Sequence, residues 1–128
     1  MRRQALLALG ALRNPAAVPP LLKILGNKED FWGRSLDTRK DIIRALGEIG
    51  SPEAIDDLIS ILSHRRVWRR NKFDTLRAAA AWALGEIGAA QALPALEKAA
   101  EDRSEDVVRM AMQALKQIRR EQNATGTD

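Results

Sequence analysis

Two arginine pairs flank a tryptophan in the segment His64-Arg65-Arg66-Val67-Trp68-Arg69-Arg70-Asn71-Lys72-Phe73. Guanidinium groups grip phosphate or carboxylate oxygens through planar, two-pronged hydrogen bonds, and an indole among them offers a face on which a base or another ring can stack. Over residues 64–77, six basic side chains (Arg65, Arg66, Arg69, Arg70, Lys72 and Arg77) stand against one acid, Asp74, a net +5. The whole chain carries +4, so everything outside this segment amounts to −1. A polyanion and an acidic protein surface suit this chemistry equally. A charge run is also what a solvated helix face looks like, with Trp68 covering an apolar edge beside it.

A second segment, residues 26–36, repeats the combination of ring and cation with Phe31, Trp32 and Arg34. Four of the five aromatics therefore fall in these two places, and only Trp82 lies elsewhere. Exposed tryptophan beside arginine is the composition of binding hot spots. The candidate partner-binding residues are Trp32, Arg34, Arg65, Arg66, Trp68, Arg69, Arg70 and Lys72. Phe31 and Phe73 read instead as rings tucked under the segments to hold them down.

Most catalytic chemistry is excluded by composition. There is no cysteine and one histidine, His64, which removes structural zinc sites, cysteine-held clusters and any histidine-based nucleophile system that does not use that residue. His64 stands beside two arginines without a second ligand type and reads as a surface residue. Adjacent acids occur at Glu29-Asp30, Asp56-Asp57, Glu101-Asp102 and Glu105-Asp106. Neighbours on a helix diverge by about 100°, so they do not form a facing catalytic pair. At the start of a helix the dipole favours such acids without any function. No glycine-rich nucleotide fingerprint is present. No catalytic, cofactor or metal site is expected.

The elements that must position these residues are repeats. Ala8-Leu9-Gly10-Ala11-Leu12, Ala45-Leu46-Gly47-Glu48-Ile49-Gly50 and Ala83-Leu84-Gly85-Glu86-Ile87-Gly88 are one motif, with a degenerate copy at Ala114-Leu115-Lys116-Gln117-Ile118. A second shared segment follows each of the first three, at Ala17-Val18-Pro19-Pro20-Leu21-Leu22, Ala54-Ile55-Asp56-Asp57-Leu58-Ile59 and Ala92-Leu93-Pro94-Ala95-Leu96-Glu97. Apolar residues recur at three- and four-residue spacing in both, so each unit is a helical hairpin. Gly50 and Gly88 sit where left-handed C-terminal caps belong, and Asn14-Pro15 and Ser51-Pro52 read as an N-cap followed by proline at the first helical position. Gly47 and Gly85 cost about 1 kcal/mol each against alanine; close approach of the two helices of a pair is the expected compensation. Arg2, Arg39 and Arg77 each stand seven residues before the motif leucine, whereas the fourth copy has Val108 there and Arg109 one position late. The motif glycines are 37 and 38 residues apart and the last interval is 31, so 26–36 and 63–73 are insertions between hairpins. Asp37-Thr38 and Asp74-Thr75 close them as expected N-caps. Asp37 or Asp74 is placed to bridge to Arg39 and Arg77.

These residues resemble the HEAT-like repeats, in particular the short kind first noted in phycobilisome lyases, whose pattern is a valine-arginine start, an alanine-rich stretch, Ala-Leu-Gly-x-Ile/Leu-Gly, a short proline-containing turn, then Ala-Val-x-x-Leu. Residues 2–25, 38–62 and 76–100 match, and 104–120 in part. The resemblance implies an all-α, right-handed superhelix with the second helix of each pair on the concave side. The expected chain is one domain over residues 1–121, three helical hairpins plus a terminal helix, followed by a polar tail at 122–128 expected to be disordered. Arg109, Gln113, Lys116, Gln117 and Arg120 are the expected polar cap of the stack. Met1-Arg2-Arg3 before an apolar stretch imitates a secretory leader, but the stretch runs into Arg13 with no cleavage site, and a cytoplasmic protein is expected. The expected function is a non-enzymatic scaffold for another protein, with the second-type helices around Lys23, Asp57, Ser60 and Glu97 and the two insertions as its surface. Its partner would carry an acidic surface, with no membrane or metal involved. Nucleic-acid binding through 64–77 is the alternative from charge. A bilin lyase or chaperone-like role is implied by the resemblance alone.

Overall fold

Every apolar stripe that falls within the described residues, which are 3–25, 36–64 and 70–126, forms a helix in the computed structural model. Seven α-helices follow in chain order: α1 (Arg3–Leu12), α2 (Val18–Leu25), α3 (Leu36–Ile49), α4 (Ile55–Ser63), α5 (Arg70–Ile87), α6 (Leu93–Ala99) and α7 (Glu105–Gly126). No strand occurs among the described residues. The result is the expected all-α repeat array of three hairpins and a terminal helix.

The hairpin turns are built alike. Gly50 and Gly88 end α3 and α5 at φ of 74° and 76°, the left-handed caps expected of them. Arg13 takes the same place after α1 at φ 52°, where a side chain costs about 1 kcal/mol. A short 3-10 turn then leads into each second helix, at Pro15–Ala17, Pro52–Ala54 and Ala90–Ala92. Asn14 Oδ1 accepts from the Ala16 N–H at 3.0 Å, and Ser51 Oγ from the Glu53 N–H at 3.4 Å. The caps therefore serve the 3-10 turns, one turn ahead of α2 and α4.

Two layers result. Helices α1, α3, α5 and α7 stack successively in the first, while α2, α4 and α6 form the second. Each second-layer helix packs more extensively on the first-layer helix of the following repeat than on its own hairpin partner. The expected role of the motif glycines is corrected accordingly. They do not join the two helices of a hairpin; they mark where consecutive first-layer helices cross. A Cβ on Gly47 would lie 2.9 Å from the Ala83 Cα and 2.8 Å from the Trp82 ring, and one on Gly85 only 2.8 Å from the Ala114 Cα. Ala83 and Ala114 are themselves the motif alanines of the next copies. Ala-Leu-Gly thus works in two directions: its alanine offers a small surface to the preceding helix, its glycine takes in the following one, and its leucine (Leu46, Leu84) is fully buried. Gly85 meets Ala114 and Gly88 faces Glu121, so contacts advance together and the helices run parallel. In α7 the glycine's place holds Lys116, which is exposed. The buried core is aliphatic and alanine throughout.

Three local expectations also change. Helix α5 begins at Arg70, inside the segment expected to be an insertion, so Asp74 lies within the helix and is no N-cap; its carboxylate is engaged by Arg77 one turn on. Asp37 likewise falls in the first turn of α3. Helix α7 continues to Gly126, through most of the expected tail, because Glu121, Gln122 and Ala124 are compatible with helix and Glu121 lies against Gly88.

Candidate functional site

In the third copy the repeated arginine, Arg77, is a structural latch. Arg77 is buried, with its side chain 7% exposed. Its Nε donates to the Leu62 carbonyl oxygen at 3.1 Å, and Nη1 donates to Asp74 Oδ1 at 3.3 Å and to Asp102 Oδ1 at 3.2 Å. Nη2 donates to Asp102 Oδ2. The Leu62 carbonyl belongs to the last turn of α4, where acceptors lack intrahelical donors and the dipole is negative, so a cation is doubly favoured. Asp102 Oδ1 also accepts from the Ser104 N–H at 3.0 Å, ordering the entry to α7. One guanidinium thereby joins α4, α5 and the connection before α7. Of the expected acid–arginine bridges, Asp74 to Arg77 forms within its own helix.

Of the eight candidate binding residues, Trp32, Arg34, Arg65, Arg66, Trp68 and Arg69 lie outside the described residues. Arg70 and Lys72 fall in the first turn of α5, and their side chains are not among those described. Beside them, His64 is exposed and its ring meets that of Phe73 edge-on, with centroids 5.9 Å apart. Phe73 packs against the core, as expected of a ring that holds its segment down. On the second layer Lys23, Asp57, Ser60 and Glu97 are all exposed, and Glu97 accepts from Arg119 of α7 at 2.9 Å. Gln117, expected in the polar cap of the stack, donates to Glu86 of α5 at 3.3 Å at the surface. Among the described residues no cluster of three or more metal-capable side chains occurs, and no helix is long and apolar enough to cross a membrane.

What sequence reading missed is a trough of about 320 Å³ on the first layer, lined entirely from α3, α5 and α7. Its floor is the outward stripe of α5: Thr75, Ala78, Ala79 and Trp82. Lys40 and Arg44 of α3 form one wall, and Asp106, Arg109 and Met110 of α7 the other. The Arg44 guanidinium lies 5.9 Å from the Trp82 ring centroid, within cation–π range. Arg109 donates to Asp106 on its own helix, and both are well exposed. The Trp82 ring leans on Gly47, and its remaining surface faces the trough. The signal available in sequence was Trp82 itself, a large ring in the alanine-rich run Ala78-Ala79-Ala80-Ala81-Trp82-Ala83. Chemically, the trough offers an apolar strip between a cationic wall on α3 and an α7 wall where Arg109 is paired with Asp106.

The family model for HEAT repeats matches residues 1–72 and again residues 68–125. No curated protein matches the chain. Two repeat matches that together span nearly the whole sequence, over helices stacked through a recurring Ala-Leu-Gly crossing, mean that the chain belongs to the HEAT-repeat family.

Proposed function

We propose that this chain is a non-enzymatic scaffold that binds another protein. The observation that carries the reading is the trough: an apolar strip along α5 between two parallel helices, walled by Lys40 and Arg44 on one side and the Asp106–Arg109 pair on the other, with a half-buried tryptophan in its floor. Stacked repeats present extended surfaces of this kind, and HEAT repeats commonly act as protein-interaction scaffolds. The basic and aromatic residues of the insertions, Trp32, Arg34, Arg65, Arg66, Trp68, Arg69, Arg70 and Lys72, would extend the same surface, since both insertions run directly into α3 and α5, the helices that supply the first wall and the floor. A partner with an acidic face complements them.

Affinity capture with the intact chain, with and without nuclease treatment, tests the reading. Protein partners that survive nuclease are the expected result, and their loss when Arg65, Arg66, Arg69 and Arg70 are all changed to Ser would add the insertion to the surface. Captured material that disappears with nuclease would replace the reading with polyanion binding.

A further inference from the structure

The shape of the trough specifies its occupant. Thr75, Ala78, Ala79 and Trp82 follow at i, i+3, i+4 and i+7 along α5, so the floor is a straight channel about 10 Å long at 1.5 Å per residue. Helices pack at about 8–10 Å, so α3 and α7, on either side of α5, stand roughly twice that apart, which is room for another helix of roughly 10 Å diameter with its side chains. A single extended strand, with neighbours about 5 Å away in a sheet, would leave such a channel partly empty.

Charge narrows the choice further. Lys40 and Arg44 stand one turn apart on α3, and neither is in an ion pair among the described residues. Two cations at that spacing complement carboxylates one turn apart on a helix laid alongside. On the opposite wall Arg109 is already held by Asp106, so the unpaired cations lie on the α3 side alone, which suits a ligand with its anions on one flank and an apolar stripe on the mainly alanine floor better than a uniformly charged phosphate chain. Trp82, with Arg44 over its ring, is the anchor at one end.

We propose that the trough receives an acidic amphipathic helix of a partner protein, its apolar stripe on Thr75, Ala78, Ala79 and Trp82 and its carboxylates toward Lys40 and Arg44. This rests on the protein-binding reading above and names the partner's chemistry.

The test uses the full chain and a fluorescein-labelled designed helix with leucines at i, i+3, i+4 and i+7 and glutamates along one flank. A scrambled peptide of identical composition keeps the charge and loses the stripe, and a single-stranded oligonucleotide stands for a phosphate chain. Saturable anisotropy with the designed helix is expected, weakened about tenfold or more for the scrambled peptide and for the double variant Lys40→Glu/Arg44→Glu. The milder Lys40→Gln/Arg44→Gln, checked by far-UV circular dichroism for an unchanged fold, should weaken binding in the same direction. Equal affinity for the designed and scrambled peptides, affinity untouched by both double variants, absence of saturation, or preference for the oligonucleotide would each overturn the assignment. Capture of nuclease-resistant proteins by Lys40→Glu/Arg44→Glu as efficiently as by the parent would also overturn it, while leaving the protein-binding reading intact.

Discussion

Asp74-Thr75-Leu76-Arg77 in α5 and Asp106-Val107-Val108-Arg109 in α7 carry the same acid–arginine pair three residues apart, near the start of a first-layer helix. One arginine is 7% exposed and the other 66%. The cause is a difference of one residue in register. Arg77 stands seven residues before the motif leucine Leu84, and Arg109 six before Leu115, a rotation of about 100° around the helix axis. That turn carries the guanidinium from the seam beneath α4 to the wall of the trough, and leaves Val108 half-buried at the inward position. Identical local chemistry is a latch in one repeat and a rim in the next.

The contrast can be broken hardest at its buried member. Asp102→Ala leaves the Arg77 guanidinium buried with Asp74 as its remaining carboxylate partner among the described residues; a destabilisation of about 3 kcal/mol is expected, read from the urea midpoint by far-UV circular dichroism. Next comes the crossing that places α7, and with it Arg109. Gly85→Ala puts a Cβ 2.8 Å from the Ala114 backbone, so α7 must shift, at about 1–3 kcal/mol by the same measurement. Gly10→Ala sharpens this, since it meets the Ala45 Cα at 3.3 Å and otherwise the mobile end of Glu48; better helix propensity should hold it within about 1 kcal/mol of the parent. The smallest effect is a gain. Arg13→Gly relieves the left-handed residue after α1 and should stabilise by up to about 1 kcal/mol, seen as a modest rise in Tm.

The register shift is legible in the sequence alone, because Val108 visibly occupies the arginine's place in the fourth copy. So are the helices, whose apolar stripes have one period throughout, and the caps at Gly50 and Gly88. What Gly47 and Gly85 touch is not. A motif records that something small is needed at a spot, but which helix arrives there depends on packing between repeats. The trough is hidden from sequence for the same reason. Ala78, Ala79 and Trp82 blend into an alanine-rich run, and Lys40, Arg44 and Arg109 become two walls only when three repeats lie side by side. Long-range assembly, not local propensity, creates that site.

The most direct test of the split between latch and rim is the unfolding free energy of Arg77→Ala and Arg109→Ala, measured in parallel urea titrations. Arg77→Ala strips the guanidinium from Asp74, Asp102 and the Leu62 carbonyl, and should lose about 3–5 kcal/mol. Arg109→Ala removes one arm of an exposed pair and should stay within about 1 kcal/mol of the parent. Equal losses in the two variants, or the larger loss in Arg109→Ala, would contradict the assignment.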